Sequence, residues 1–372
     1  MPECKICKNL IDPKPVNINN LPARAQYLPD KSSLIDDKPI TLKLYACPFC
    51  SVIFLDTEPV DYYREVIRSA AVSEDLKTQK HIQFKEFCKK YKLTKKRVIE
   101  VGCGNGEFLD ILSKYTSKAF GIEYNEESVL RCKDIGLNVF NGFLSTDDCR
   151  ICDDLFDGFL LLMFLEHIPD PRTFLKGIYK NLTENAVGII EVPNFEMIFS
   201  CGLYAEIMKD HLFYFNKQSM SILLGSCGFE IIEQNIIRDN YVLSLTVRKK
   251  SLYALDNINC YLTKINECFT NLLESYNNIA LWGASHQTFF VLSQIKNISK
   301  ISCIIDSADF KKDKFSPVTH IPIMKPSNNI FSFDAIIVSA GSYSPEIVNI
   351  LSQEYKYNGD VYIFDVDHLK RI

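Results

Sequence analysis

Two cysteine pairs, Cys4-Lys5-Ile6-Cys7 and Cys47-Pro48-Phe49-Cys50, stand near the start of the chain with 39 residues between them. A CxxC turn puts both sulfurs on one side of a tight loop, and two such turns present four thiolates to one tetrahedral ion. Cys4, Cys7, Cys47 and Cys50 are therefore the candidate ligands of one structural Zn2+ per chain. Four cysteines leave no open coordination position, which argues against a catalytic metal. A third pair, Cys149-Arg150-Ile151-Cys152, has no second pair near it in sequence and is read as a chance spacing among 14 cysteines.

The next constellation is Val98-Ile99-Glu100-Val101-Gly102-Cys103-Gly104-Asn105-Gly106-Glu107, an apolar strand running into a glycine-rich turn that opens a helix. Gly102, Gly104 and Gly106 let the backbone pass close to a bound ligand. A dinucleotide site wants its third glycine where this chain has Glu107. Glu100, inside the strand, suits the ammonium group of S-adenosylmethionine (SAM) and would poorly suit a pyrophosphate. Glu123 ends the next strand, Ala119-Phe120-Gly121-Ile122-Glu123, and can accept hydrogen bonds from both ribose hydroxyls. That last feature fits NAD and SAM alike.

The elements that must position these residues fall into three parts. Residues 1–60 contain much proline, asparagine and aspartate and little periodicity, with strand-like runs on both sides of the second cysteine pair. Residues 61–250 open with a helical pattern. They continue with apolar runs at 97–101, 119–123, 137–140, 158–162, 188–192 and 241–247, which alternate with helices. The alternation predicts a mostly parallel sheet with helices on both faces. Lys249-Lys250-Ser251 marks a boundary. In residues 251–372 a long helix, to about residue 275, leads into a second strand–helix alternation at 279–282, 301–306, 335–339 and 361–364.

Composition narrows the functional classes. A chain of 372 residues with 47% hydrophobic and 24% charged residues can bury a full core without disulfides. With 42 basic and 46 acidic residues and no long basic run, nucleic-acid binding gets little support. The longest apolar run, Phe159-Leu160-Leu161-Leu162-Met163-Phe164-Leu165, is far below the roughly 18 residues of a membrane span. The N-terminus lacks the apolar stretch of a signal peptide. The expectation is a cytoplasmic enzyme without membrane or nucleic-acid partners, a monomer or small homo-oligomer.

Taken together, the glycine loop, Glu100, Glu123 and the later Phe164-Leu165-Glu166-His167-Ile168 resemble class I SAM-dependent methyltransferases over about residues 95–195. In that family the third-strand region contacts adenine, which points here to Phe143. Glu166-His167 are read as a cap before Pro169, with a direct chemical role as the alternative. A cysteine knuckle, a class I core and a second α/β domain in that order resemble the zinc-containing sugar C-methyltransferases of deoxysugar biosynthesis. Lys314-Phe315-Ser316-Pro317-Val318-Thr319-His320-Ile321-Pro322-Ile323 is similar to that family's Pro-Gly-Thr-His-Ile-Pro-Ile signature, with Val318 in place of the glycine.

The resemblance implies an α/β protein with an N-terminal zinc-binding knuckle, a class I Rossmann-like core and a second Rossmann-like domain. It implies methyl transfer to a nucleotide-linked keto deoxysugar, at the carbon beside the ketone. Its base is the histidine of a Tyr-x-Glu-His segment, which here reads Met208-Lys209-Asp210-His211 after a helical insertion. His211 is thus the candidate base, Asp210 its carboxylate neighbour, and Met208 takes the place of a tyrosine for which Tyr204 and Tyr214 are possible substitutes. Tyr63 is the candidate tyrosine of the segment covering the cofactor, with Arg68 for a carboxylate or phosphate. The last domain is expected to wall the substrate cleft, with His286 and His320 as possible contacts. O- or N-methylation of a sugar or small polar metabolite is the alternative within the class. An NAD-dependent oxidoreductase is the alternative outside it.

Overall fold

The computed structural model describes residues 3–11, 14–26, 28–65, 72–250 and 256–372. Arg68 lies outside the described residues. Chain contacts define two compact units, residues 1–251 and 252–372.

The first unit begins with β1 (Val16–Leu21), β2 (Ile40–Ala46) and β3 (Ile53–Leu55), followed by α1 (Glu74–Lys90). The Ser73 hydroxyl caps α1 by accepting from the Leu76 amide at 3.2 Å. Glu74 and Asp75 in the first turn and Lys89 and Lys90 in the last complement the helix dipole. Then come β4 (Arg97–Val101), α2 (Glu107–Ser113), β5 (Lys118–Glu123), α3 (Glu126–Asp134), β6 (Val139–Asn141), β7 (Phe156–Leu162) and α4 (Pro171–Lys180). β8 (Leu182–Pro193), α5 (Phe195–Ser200), β9 (Phe213–Tyr214), α6 (Lys217–Ser226), β10 (Phe229–Ile237) and β11 (Val242–Lys249) complete the unit.

Seven of these strands form one sheet in the order β10-β11-β8-β7-β4-β5-β6. β4 to β8 run parallel, and β11 is antiparallel to both its neighbours. The chain reverses direction across the sheet between β4 and β7, so the loops after β4 and β7 open a crevice at the carboxyl ends of the strands. β7 is buried along nearly its whole length, as a central strand covered on both faces must be. β10 has no counterpart among the apolar runs read from the sequence. It is an edge strand, and Glu230, Glu233, Gln234 and Asn235 break its apolar pattern.

The cysteine-bearing segment is not insulated from this core. β1, β2 and β3 pair antiparallel, and β3 continues onto β9, where Phe54 faces Phe213 and Ile53 faces Tyr214. Cys4, Ile6, Cys47, Cys50 and Phe54 belong to the same buried cluster as Leu212, Phe213 and Phe215.

The second unit contains α7 (Asp256–Ser275), β12 (Ile279–Trp282), α8 (His286–Gln294), β13 (Ile301–Ile305), β14 (Lys314–Phe315), β15 (Pro322–Met324), β16 (Ala335–Val338), α9 (Ser344–Gln353), β17 (Asp360–Asp365) and β18 (His368–Arg371). Its sheet order is β14-β15-β13-β12-β16-β17-β18. The five central strands are parallel, and β14 and β18 are antiparallel edges. The glycine turn after β12 is closed by protein groups. The Ala284 amide donates to Asp306 at 2.8 Å, and Lys311 pairs with the same carboxylate at 2.8 Å. His286 and His320 are both exposed.

Candidate active site

The turn after β4 has the backbone its glycines suggested. Gly102, Gly104 and Gly106 have φ of 73°, 54° and 84°, a region unfavourable to other L-residues. Their surroundings differ. A Cβ at Gly106 would lie 2.7 Å from Leu137 and 2.8 Å from the Cys132 sulfur, so this glycine lets α3 pack against the loop. Among the described residues, a Cβ at Gly104 would meet nothing within 4 Å. Gly104 instead faces a cavity of about 600 Å³, and its amide donates to Glu123 Oε2 at 2.8 Å. The other oxygen of Glu123 accepts from the Asn125 amide at 2.9 Å. One carboxylate thus ties the first glycine turn to the start of α3.

The cavity is lined by Gly102, Gly104 and Glu123 on one side and by Glu166, His167, Met208, His211 and Tyr241 on another. An adjoining apolar slot is bounded by Ile122, Phe143, Phe164 and Phe174 and shares Gly102 and Glu123 with the cavity. The slot is nearly closed, at about 10 Å³, and Arg64 lies across it. The Arg64 guanidinium is 5.2 Å from the Phe143 ring centre and 5.4 Å from that of Tyr124.

Asp210 and His211 lie in a turn that leads into β9, not on a helix. The Asp210 carboxylate is buried and accepts from the Tyr62 hydroxyl at 2.7 Å and from the Ala25 amide at 3.2 Å. Burial, then this carboxylate, pushes Tyr62 up to about 12. The Asp210 carbonyl accepts from His167 Nδ1 at 2.7 Å, which leaves Nε2 as the free nitrogen of neutral His167. The His167 and His211 rings meet at 4.8 Å and 67°. Burial lowers His167 to about 4 and His211 to about 3, the latter helped by His167, so both imidazoles are neutral at working pH. Glu166 is only 1% exposed, and burial pushes its carboxyl up to about 8.

The structure therefore gathers Gly102, Gly104, Glu123 and His211 around one cavity, with Phe143 in the adjoining slot. Glu100, Gly106 and Asp210 do not line it. Tyr63 lies on the slot side, with its ring 6.0 Å from Phe143 and its hydroxyl accepting from Arg64 at 2.9 Å. Its neighbour Tyr62 is the residue that reaches Asp210. Nothing in the sequence distinguishes the two tyrosines, since the choice depends on where residues 24–26 cross the turn. Tyr214, a possible substitute for the missing tyrosine, spends its hydroxyl on the Met208 backbone, and Tyr204 is half exposed against Phe199.

The four N-terminal thiols converge. Cys4 and Cys50 sulfurs are 3.6 Å apart, Cys7 and Cys47 3.5 Å, and all four lie within 4.8 Å. A zinc–thiolate tetrahedron has edges of about 3.8 Å, so the set fits a single metal ion. The two turns share a backbone design. Cys4 O accepts from the Lys8 amide and Cys47 O from the Ser51 amide, both at 2.9 Å. Lys8 and Ser51 are left-handed, at φ of 64° and 60°. Cys149 and Cys152 are absent from this cluster.

Residues 51–234 match the family model of a methyltransferase domain, and residues 253–366 match that of a C-methyltransferase C-terminal domain. The chain carries a SAM-dependent methyltransferase domain. The sheet of that domain, with its single reversed strand next to the edge, is the class I Rossmann-like α/β arrangement. A curated Mycolicibacterium smegmatis protein named "Probable S-adenosylmethionine-dependent methyltransferase" is 25% identical over 136 residues, 36% of this chain and 52% of that protein. The match spans about half the length of that relative. Among solved structures, a SAM-dependent methyltransferase from Clostridium acetobutylicum covers 51% of this chain and 96% of its own, at 11% identity and a TM-score of 0.39. The N-methyltransferase NodS from Bradyrhizobium japonicum, in complex with S-adenosyl-L-homocysteine (SAH), covers 47% and 87%, at 15% identity and a TM-score of 0.37. Among the described residues no helix is long and apolar enough to cross a membrane.

Proposed function

We propose that this protein transfers a methyl group from SAM to carbon, beside the ketone of a nucleotide-linked deoxysugar, with His211 as the base. The observation that carries the reading is the single cavity in which the glycine loop and Glu123 meet His211. The match of residues 253–366 to a C-methyltransferase C-terminal domain supports carbon as the acceptor atom. When bound, SAM supplies an electrophilic methyl group on a sulfonium. Gly102, Gly104 and Glu123 would hold its ribose and methionine portions, and Phe143 would face its adenine once Arg64 moves from the slot. A carbon acceptor must first lose a proton, and the ketone beside it makes that loss feasible by forming an enolate. Neutral His211 has a lone pair to take the proton, and catalysis then rests on positioning plus one proton transfer. Asp210 is a positioning residue in this account, pinned by Tyr62 and Ala25.

The cysteine cluster has a structural part in the same account. A Zn2+ held by Cys4, Cys7, Cys47 and Cys50 would fix the turn before β3. β3 pairs with β9, two residues after His211. The Asn216 side chain also donates to the Ser51 carbonyl at 2.9 Å, a second tie between the cysteine turn and the segment beyond β9. The test of the function is mass spectrometry of methyl-transfer assays over a panel of nucleotide-linked 4-keto-6-deoxyhexoses, with their 4-hydroxy forms as controls. The expected outcome is one added methyl on a keto sugar and none on the controls. Methylation of a 4-hydroxy control instead would replace carbon with oxygen as acceptor.

A further inference from the structure

Glu166 is the buried titratable group that the proposed chemistry leaves without a task. It follows β7, lines the same cavity as His211, and is 1% exposed. Among the described residues its Oε2 has no hydrogen-bond partner. A carboxyl oxygen of Glu166 and one ring nitrogen from each of His167 and His211 lie within 4.8 Å of one another. Leaving a buried carboxyl oxygen unpartnered costs its full desolvation penalty. Such a group makes sense where a ligand completes it. The position where the resemblance puts a tyrosine, able to polarise the ketone, holds Met208, which has no hydroxyl. Tyr214 cannot stand in, because Met208's own backbone holds its hydroxyl.

We propose that Glu166 acts as a neutral carboxylic acid that hydrogen-bonds the ketone oxygen of the acceptor and holds it as the enolate forms. This rests on the carbon-methylation reading above. The C–H bond beside the ketone breaks and its proton goes to a ring nitrogen of His211. The electron pair forms the carbon–carbon double bond of the enolate, and the former carbonyl oxygen takes the negative charge against the Glu166 O–H. The carbon then forms its new bond to the methyl group, the sulfonium S–C electrons stay on sulfur, and the ketone is restored. Glu166 keeps its proton throughout.

The surroundings favour the neutral acid. Besides the carboxylates Glu65, Glu107 and Glu123, the groups that line the cavity with Glu166 include His167 on its own turn, His211 before β9, and Tyr241 between β10 and β11, whose hydroxyl donates to Glu206 at 2.8 Å. Arg238 acts on Tyr241, and Glu191 on β8 is paired with Lys80. No cation among these offsets the burial of a Glu166 carboxylate, and burial is the cause that raises it to about 8. The sign follows. The donor is present below about pH 8 and is lost as pH rises through that value.

The experiment measures wash-in of solvent deuterium beside the ketone, for the nucleotide-linked 4-keto-6-deoxyhexose panel with SAH, between pH 6 and 10. Wild type should lose rate above about pH 8. Glu166→Gln keeps an N–H donor and has no proton to lose, so it should stay within about tenfold of wild type and lack that fall. Glu166→Ala should be slower by about 10²–10³-fold, the usual cost of one oxyanion donor. A Glu166→Gln variant that folds but is inactive would make Glu166 the base and overturn the proposal. So would a Glu166→Gln variant that keeps the fall near pH 8. Wild type that exchanges no member of the panel overturns the carbon-methylation reading, and the proposal with it.

Discussion

Glu123→Ala isolates the cofactor half of the site. The native carboxylate is 7% exposed and accepts from the Gly104 and Asn125 amides at 2.8 and 2.9 Å. It also faces the cavity where the ribose hydroxyls of SAM are proposed to lie. Alanine removes the ribose acceptor and releases the turn at Gly104 from α3. Hydrogen bonds to a charged group are worth about 1.5–3 kcal/mol, which is roughly 10- to 150-fold in Kd. Folding stability should fall less than binding, because water in the cavity can take over the freed Gly104 amide. Glu123→Gln retains a carbonyl oxygen for that amide and should lose less affinity than Glu123→Ala. Calorimetric titration with SAM and with SAH reads the effect. Wild-type affinity in both variants would refute the assignment of β5 as the ribose-binding strand.

Cys47→Ser should lower both zinc content and soluble yield while Cys149→Ser changes neither; elemental analysis of chelator-free protein checks this, and a zinc-free wild type would contradict it. Gly104→Val should abolish SAM binding measured by calorimetry, because the side chain enters the cavity at a φ of 54° that a β-branched residue resists. Val318 is 78% exposed at a φ of 66°, in the place where the similar family signature has glycine. Val318→Gly should therefore stabilise the second unit by about 1 kcal/mol, the left-handed strain relieved less the entropy glycine adds to the unfolded chain. Chemical denaturation with an unshifted or lowered midpoint would show that the strain is not there.

The parts of this site that were legible in the sequence are those whose cause is local. Three glycines in five residues announce a turn with positive φ, and alternating apolar runs announce strands whatever they pack against. At Val318 the glycine of the similar signature has a backbone reason, a positive φ, which the text of the sequence does not display. What stayed hidden depends on distant segments. Tyr62 and Tyr63 are equivalent as text, and the fold separates them by sending one to Asp210 and the other to Phe143. Glu166 reads as a polar residue near a helix cap. In the fold the Leu212 amide, 46 positions on, donates to its carbonyl at 2.9 Å, and its side chain is a buried acid. The pairing of β3 with β9 joins residues about 160 positions apart, and no local pattern encodes it. Arg64 in the aromatic slot was equally unreadable, since two of its three ring neighbours, Tyr124 and Phe143, come from separate loops far along the chain.

The central claim is that His211 takes a proton from carbon. The direct measurement is deuterium incorporation beside the ketone of a nucleotide-linked 4-keto-6-deoxyhexose, in D2O with SAH, followed by mass spectrometry for wild type and His211→Ala. Wild type should incorporate one deuterium, and His211→Ala should do so about 10²–10⁴-fold more slowly, with SAM affinity unchanged. A well-folded His211→Ala enzyme that exchanges and methylates at the wild-type rate would contradict the account.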